Sequence, residues 1–520
     1  MIRRHRKNRT LLATGRGDCP PPRDPATDNV DNPSFLQVFS ALAGVHPHKQ
    51  PKPGGVLLGR QLARAAAGLL GVALLTAVAV EAADSPTAAQ NTKREVRTRF
   101  TASGSLRATV AASLAADDKQ SEPAAGTIDV VEHAVAADAT LRYTEQLVDA
   151  GSVDGAGQTA LRHYSEAEAN LQIDGETVRS VLPPEARALF AAPTAEGLCF
   201  WLAEGFVTQE EQTLLSLPFD TAWHNILEPP SAAEEGTTWT LNSAGLAKLL
   251  CIDTVTAGIV TAAVKQVSAD HLAVSLSGSL RGGVDGVPTA IELTATYGWD
   301  NTCETLPGLV SLRAEIHERR QAGYVTPGLD IESVVEQTCR RLDADRSAHQ
   351  PLPSVGTGQA IARRGLGKPG SLWLTDPHDR FDLIYDDGWR IIEQQSDQTV
   401  LRLLDHGRLL GQVSIVPLPP TAEAPSLAVF QDDIERSLGG QFNHLVEATE
   451  SRRSNGTRIL RVASDGEADG LPFRWIHYHL AAENDAQATL SFMVESGQYE
   501  RFGEADRLFV DGFLITQPSN

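Results

Sequence analysis

The chain has 520 residues, of which 42% are hydrophobic, and its formal net charge is −21. Residues 1 to 83 hold 11 of the 45 Lys and Arg and 5 of the 66 Asp and Glu. The remaining 34 basic and 61 acidic side chains give residues 84 to 520 a net charge of −27. This composition excludes a wholly disordered protein, and so acidic a surface repels nucleic acid and anionic lipid. The length predicts two or three domains after the N-terminal region.

An uncharged run extends from Ala65 to Val80, with Arg60 and Arg64 before it and small residues after it. A basic flank, a short apolar segment and a small-residue exit define a secretory signal. We therefore predict a signal peptide over 56–83, cleaved near Ala82, and a periplasmic or secreted protein. The alternative is a single-pass anchor, but a membrane span takes about 20 apolar residues. The protein would contact the membrane only if segment 65–80 stays uncleaved.

Residues 1–55 are polar, rich in proline and basic at the start. They indicate either a disordered leader or a wrongly assigned start, with translation beginning near Val56. Beyond the signal, four cysteines remain, at spacings of about 50 residues: Cys199, Cys251, Cys303 and Cys339. In an exported protein they can form two disulfides in three pairings, or stay as buried thiols.

Residues 92–345 are predicted to form a β-rich domain with short helices. Apolar residues alternate with polar ones from Leu106 to Leu114, from Leu272 to Leu280 and from Ile291 to Trp299, which is the period of half-buried strands. The pair Asp174-Gly175 between two such runs predicts a hairpin. Thr208 and Glu211 form a capping box, and Ser243 is a second candidate N-cap. The long strands and short turns predict an antiparallel meander.

A segment rich in Pro and Gly, 346–374, predicts a linker before a second domain over 375–520. That domain shows strands, a helix from Leu427 to Leu438 with Gly439-Gly440 as its stop, three more strands and a final helix from Phe502 to Leu514. The order resembles the Mog1/PsbP-like family. The resemblance rests on the Phe381 to Trp389 entry, the 427–438 helix, the strand LPFRWIHYHLA and the closing FGEADRLFVDGFLI.

The resemblance implies an α/β/α sandwich and an extracytoplasmic or scaffolding role without catalysis. The predicted fold class is therefore α+β, with a large antiparallel β-rich N-terminal domain and a C-terminal sandwich. No family is recognised for residues 92–345.

Candidate chemistry is sparse. His477 and His479 lie two apart on a predicted strand, so both imidazoles share a face, but no third ligand is evident. The Asp376-Pro377-His378-Asp379 sequence places carboxylates beside a histidine, and a polar turn is the simpler interpretation. No nucleophile elbow, P-loop, dinucleotide fingerprint or zinc-protease motif is found. We predict no catalytic, cofactor-binding or metal-binding residue and no cofactor.

Five aromatic residues cluster in a Gly-interrupted segment that we interpret as helical: Phe200, Trp201, Phe206, Phe219 and Trp223. They indicate either a core beneath the sheet or a pocket for an apolar ligand. The predicted function is an exported, non-enzymatic binding or assembly protein whose partner is a protein or an apolar small molecule, and not nucleic acid. The alternatives are an extracytoplasmic hydrolase that uses His and carboxylates, and a membrane-anchored surface protein.

Overall fold

The structure is a computed structural model, and it describes residues 93–110, 129–148, 159–194, 197–202, 205–268, 271–300, 308–323, 327–342, 370–405, 407–419 and 424–516. The predicted leader, the signal peptide, Cys303 and nearly all of the predicted linker lie outside these ranges. Within the described ranges, no helix combines the length and hydrophobicity needed to span a bilayer.

A 12-stranded antiparallel sheet dominates residues 93–342, in the order β6-β5-β3-β2-β1-β13-β12-β11-β10-β9-β8, with β4 paired to β3. Its strands are β1 (Lys93–Val110), β2 (Asp129–Val148), β3 (Thr159–Ile173), β4 (Glu176–Val181), β5 (Ala188–Thr194), β6 (Gly197–Leu202), β8 (Thr238–Thr240), β9 (Thr254–Val267), β10 (His271–Val284), β11 (Val287–Asp300), β12 (Gly308–Arg320) and β13 (Gly328–Leu342). The short β7 (Val207–Thr208) belongs to another sheet.

Side-chain alternation gives this sheet one apolar face and one polar face. In β11, every second residue from Val287 to Trp299 is buried, while Glu292, Thr294 and Thr296 are exposed. The predicted hairpin at Asp174-Gly175 is confirmed: it joins β3 to β4, and both residues have positive φ. Most neighbours in the sheet are consecutive in sequence, which confirms the predicted meander. The exceptions are β3, which pairs with β5, and β1, which pairs with β13.

Short helical segments cover the apolar face. The helix Gln209–Leu215 begins with the predicted capping box, in which Thr208 Oγ1 accepts from Glu211 N at 3.1 Å and Glu211 accepts from Thr208 N at 2.8 Å. The helix Ser243–Leu249 is capped by Asn242, one residue before the predicted cap. Two 3₁₀ segments accompany them, Pro184–Ala186 and Thr221–Leu227. Tyr297 of β11 donates a hydrogen bond to the Leu227 carbonyl at 2.7 Å, which ties this layer to the sheet.

Residues 370–516 build a seven-stranded antiparallel sheet in the order β16-β17-β18-β22-β21-β20-β19. Its strands are β16 (Trp389–Gln394), β17 (Thr399–Asp405), β18 (Arg408–Leu418), β19 (Phe442–Arg452), β20 (Arg458–Ala468), β21 (Leu471–Ala481) and β22 (Gln487–Glu495). The helix Leu427–Leu438 is confirmed within its predicted bounds, with Ser426 as N-cap and Gly439 at its end with φ of 51°.

A four-stranded sheet joins the two parts of the chain. Its order is β23-β15-β14-β7, where β14 is Leu372–Thr375, β15 is Phe381–Tyr385 and β23 is Phe513–Ile515. In it, β7 pairs in parallel with β14. One hydrophobic cluster also runs through both parts, from Val96 of β1 to Phe513 of β23. The predicted boundary near 346–374 stays a prediction, since most of it lies outside the described ranges.

The two parts also meet through two hairpin turns. Gly286, between β10 and β11, and Gly407, between β17 and β18, have φ of +74° and +75°. A Cβ added to Gly286 would lie 2.5 Å from the Gly407 Cα. Backbone therefore packs on backbone at this point, and only glycine at both positions allows the approach.

The expectation of an α+β fold with an α/β/α sandwich is wrong. Strands make up 64% and helices 15% of the described structure, and the strands form large, almost wholly antiparallel sheets. The predicted final helix from Phe502 to Leu514 is instead two short helices, Tyr499–Phe502 and Ala505–Asp511, followed by β23. Gly503, with φ of 57°, interrupts the helical backbone there. Helices this short leave the architecture dominated by its sheets.

Candidate functional site

The two histidines of the predicted pair, His477 and His479, contact different residues of the fold. His477 Nδ1 lies 3.0 Å from Ser491 Oγ, and burial lowers the pKa of His477 to about 4. His479 is buried, and its ring lies edge-on to Phe430 of the helix Leu427–Leu438, with ring centroids 5.8 Å apart. No group of His, Cys, Asp or Glu side chains within the described ranges could hold a metal ion.

The Asp376 to Asp379 sequence forms a turn that is held by one ion pair. The buried Asp376 carboxylate accepts from Arg380 Nε and Nη2 at 2.8 Å each, and from the backbone N–H groups of His378 and Arg380 at 2.9 and 3.2 Å. Burial opposes ionisation of Asp376, but Arg380 and these N–H groups outweigh it and lower the pKa of the carboxyl. His378 and Asp379 are exposed. This carboxylate therefore fixes a turn.

Four of the five aromatic residues that suggested an apolar ligand are buried in the core, and the fifth, Phe206, is half-buried. Phe200 and Trp201 lie on strand β6 instead of a helix, so their rings point to opposite faces. Phe200, Phe219 and Trp223 belong to the main hydrophobic cluster. Trp201 stacks on Phe190 in a separate small cluster, with ring centroids 5.6 Å apart. Cys199, Cys251 and Cys339 form no disulfide with one another.

A buried ionic network lies beneath the sheet, and no motif in the sequence signals it. Arg162 on β3 is 0% exposed and donates from Nε to Glu145 at 2.7 Å. Its Nη1 and Nη2 atoms donate hydrogen bonds to the two carboxylate oxygens of Asp220 at 2.8 and 2.6 Å. Glu145 also accepts from Arg94 Nε at 2.8 Å and from the Thr221 hydroxyl at 2.7 Å. Two arginines thus balance two carboxylates inside the core.

The network keeps its charges at neutral pH. Burial opposes ionisation of Glu145, but Arg94 and Arg162 outweigh it and hold the pKa of Glu145 well below its ordinary value. Since every donor and acceptor named above is matched, the cluster is built to be stable rather than reactive. Its chemistry is that of a structural ion network that orients the 3₁₀ segment Thr221–Leu227 on the sheet.

His224, next to this network, gives the fold a dependence on acidic pH. Burial, with Arg94 nearby, lowers the pKa of His224 from 6.5 to about 4. Between pH 6.5 and 4, His224 is therefore protonated in the unfolded chain and neutral in the folded chain. Because the unfolded chain binds the additional proton, the free energy of unfolding of the wild type should fall as the pH drops through this window. In the H224Q variant we expect this fall to be smaller, by up to about 1.4 kcal/mol per pH unit.

Urea unfolding at pH 7, 6, 5 and 4.5 measures this dependence. The H271Q variant, in which an exposed histidine is changed, serves as the control and should follow the wild type. Equal slopes for H224Q and the wild type would show that His224 does not titrate on unfolding. His477 contributes in the same window, so the slope of H224Q becomes smaller without reaching zero.

A groove of about 910 Å³ lies on the large sheet. Residues from eight strands line it, in register from β3 at one end to β9 at the other. Its exposed lining consists of small, hydroxyl-bearing and charged side chains, with the half-buried Thr140 beside them: Arg97, Arg99, Glu166, Lys265, Ala273, Thr296, Ser311, Arg313, Glu336 and Thr338. The groove therefore lies on the polar face, opposite the core.

Ladder pairing aligns these side chains in one row across the strands. Thr338 of β13 pairs with Arg97 of β1, and Ser311 of β12 pairs with Thr338. At the far end, Gln266 and Val264 of β9 pair with Ala273 and Val274, which leaves Lys265 as the extra residue of a β-bulge. The bulge breaks the alternation of β9, so that Lys265 and Gln266 are both exposed, and Lys265 lies at the end of the groove.

Four basic and two acidic side chains line this groove in a chain whose net charge is −21. Arg313 is held by Glu336 at 2.5 Å and Glu315 at 3.0 Å. Arg97, Arg99 and Lys265 are exposed and contact no acceptor side chain within the described part of the chain. The groove thus offers three cationic side chains that form no ion pair within the described ranges, with Arg99 directly opposite Glu336 in the β1–β13 ladder.

Arg97 and Arg99 alternate with Val96, Thr98 and Phe100, so a period of two already assigns them to the polar face. Lys265 on β9 and Arg313 on β12 share one groove with Arg97 and Arg99 only because β1 pairs with β13. Sequence reasoning therefore missed the site as a whole.

No family model and no curated protein matches the chain. The cyanobacterial PsbP (CyanoP) of Synechocystis sp. PCC 6803 is 12% identical over 29% of this chain and 96% of that chain, with a TM-score of 0.24. The Ran-binding protein Mog1p of Saccharomyces cerevisiae is 12% identical over 28% and 95%, with a TM-score of 0.22. The immunity protein TplEi of the T6SS of Pseudomonas aeruginosa is 11% identical over 51% and 95%, with a TM-score of 0.18. Two of these three proteins, PsbP and Mog1p, are of the family that the second part of the chain resembles in its order of elements.

Proposed function

We propose that this protein is a non-enzymatic binding protein that works outside the cytoplasm and holds its ligand in the groove on the polar face of the large sheet. The observation that carries the proposal is the groove itself, a cavity of about 910 Å³ whose lining comes from eight strands. A volume of this size lies in the range of pockets that hold small molecules or segments of longer chains.

The chemistry around the histidines supports binding over hydrolysis. A hydrolase that uses His and carboxylates requires an imidazole and an acid that converge on one pocket. His477 contacts Ser491, and His479 packs under a helix. His378 lies on an exposed turn, beside a carboxylate that is occupied by Arg380. The hydrolase and the apolar ligand stay as alternatives without a supporting contact.

Blocking the groove tests the proposal. Ala273 is exposed on β10 and forms part of the groove lining, so A273F fills the groove with a ring. Ala136 is exposed on the same face of β2 and lies outside the lining, so A136F is the matched control. Phenylalanine suits a strand position, so both variants should fold.

Each protein is purified under native conditions from the envelope of its own cells, and its intact mass is compared before and after denaturation. We expect the wild type and A136F to lose extra mass on denaturation and A273F to carry none. Extra mass that A273F retains unchanged, or a wild type that carries none, would contradict the groove as the ligand site.

The proposed location has its own test. We expect the mature protein to begin at Ala83, after removal of the signal peptide, and to fractionate with extracytoplasmic proteins. N-terminal sequencing of the purified protein and a carbonate wash of membranes check this. A protein that keeps residues 65–80 and resists the wash would instead be the anchored alternative.

A further inference from the structure

Arg97 on β1 and Lys265 on β9 lie too far apart along the groove for one small ion to contact both. From Arg97 on β1 to Lys265 on β9 the sheet advances by five strands, through β13, β12, β11 and β10. At about 4.8 Å per strand this is roughly 24 Å along the sheet. A ligand that contacts the cations at both ends must be extended and must run across the strands.

The cationic side chains select a ligand with several negative charges. Arg97 and Arg99 lie two residues apart on one strand, so they point to the same face about 6.6 Å from each other. Neither they nor Lys265 has an acidic partner among the described residues, whereas many arginines elsewhere on this sheet do, such as Arg319 with Glu292 at 2.8 Å. Leaving these cations open in a strongly acidic protein favours an anionic ligand in this groove over the rest of the surface.

The space between the cations carries hydroxyl groups in place of aromatic rings. Thr338, Ser311 and Thr296 line it, together with Ala273. Tyr297 is the aromatic residue in the lining, and its hydroxyl is bonded to Leu227 on the core side. Proteins that bind single-stranded nucleic acid stack bases on exposed rings. This floor instead offers hydrogen bonds to a ligand that is rich in hydroxyl groups.

We infer that the groove takes an acidic polysaccharide, a sugar chain with carboxylate or sulfate groups, which lies across the strands from β1 to β9. Arg97 and Arg99 bind its acidic groups at one end and Lys265 at the other, and the threonine and serine hydroxyls contact the sugars between them. This inference rests on the proposed function, because it names the ligand class of the same groove.

The test uses purified full-length mature protein and fluorescein-labelled decasaccharides of heparin and of polygalacturonate, with binding measured by fluorescence anisotropy at several salt concentrations. The triple variant R97Q/R99Q/K265Q removes the three open cations. The variant R281Q/R319Q/R408Q changes the net charge equally at exposed positions outside the groove and is the matched control. Competitors are dextran, poly-glutamate and a 15-nucleotide single-stranded DNA.

We expect at least one acidic decasaccharide to bind, with affinity that falls as salt rises. The groove variant should lose on the order of 10- to 100-fold in affinity, since it removes three charge contacts to the ligand. The control variant should lose a few-fold at most.

Equal binding by the groove variant and the wild type, or equal competition by dextran, would overturn the role of charge. Stronger binding of poly-glutamate or of the DNA than of either sugar would overturn the sugar class. Failure of the wild type to bind any acidic sugar would overturn the inference as well. Since the A273F mass comparison does not depend on the ligand's charge, it still decides whether the groove holds a ligand at all.

Discussion

The R162L variant should be among the least stable single substitutions in this protein, with a loss of about 3–5 kcal/mol in free energy of unfolding. Arg162 is 0% exposed and supplies three of its nitrogens to Glu145 and Asp220. Leucine leaves two buried carboxylates with a single arginine, Arg94, which reaches only Glu145. The cost of an uncompensated buried charge exceeds what the added hydrophobic side chain contributes.

Urea unfolding at pH 7 measures this loss, and R319L is the matched control. Arg319 forms an exposed pair with Glu292, and its side chain is 52% exposed, so R319L should lose no more than about 1 kcal/mol. If R162L fails to fold, R162K is used instead, because lysine keeps the charge but loses the planar guanidinium group. We expect R162K to lose more stability than R319L and less than R162L. Equal stability of R162L and R319L would show that the buried network contributes nothing to the fold.

The G286A variant should destabilise the contact between the two parts of the chain by about 2–5 kcal/mol. Part of this is the strain of a non-glycine residue at φ of +74°, about 1–2 kcal/mol. The rest comes from overpacking, because the new Cβ would lie 2.5 to 2.9 Å from backbone atoms of Gly407, which adds about 1–3 kcal/mol. Backbone atoms cannot move aside as a flexible side chain does.

G470A separates the two contributions. Gly470 follows Asp469 in the β20–β21 hairpin with φ of +78°, just as Gly286 follows Asp285, but nothing lies within 4 Å of its added Cβ. G470A should therefore lose only the strain, about 1–2 kcal/mol. Thermal or urea unfolding of both variants gives the difference. Equal losses would mean that the two hairpin turns separate without cost.

The features that the sequence predicted correctly are local. The Asp174-Gly175 turn, the Thr208 capping box and the helix from Leu427 to Leu438 each depend on residues a few positions apart, whose preferences act before any tertiary contact forms. Alternation likewise predicted β10 and β11 from their own residues. Such signals predicted part of the large sheet, whereas the residues of β6 were interpreted as helical.

The features that it missed depend on distant residues. The α/β/α expectation gave too much weight to apolar spacing in 502–514, where Gly503 interrupts the helix and β15 recruits Phe513 to Ile515 as a strand. Arg162 occupies a position on the apolar face between Ala160 and Tyr164. Its partner Asp220 lies far away in the sequence, and no neighbouring residue predicts the pairing. The groove, too, exists only once eight strands are in register.

The pairing of β1 with β13 has a consequence for how the chain reaches this structure. It joins Lys93 to Leu342 and lies in the middle of the sheet, with strands on both sides of it. The meander on each side of this pairing can form from local hairpins. The β1–β13 pairing itself, the seam between the two meanders, closes a loop of well over two hundred residues, which makes folding slow. Until the seam closes, β1 and β13 present long free edges to any neighbouring chain. During that interval the protein is most exposed to aggregation, so its yield should depend on holdase chaperones more than its final stability suggests.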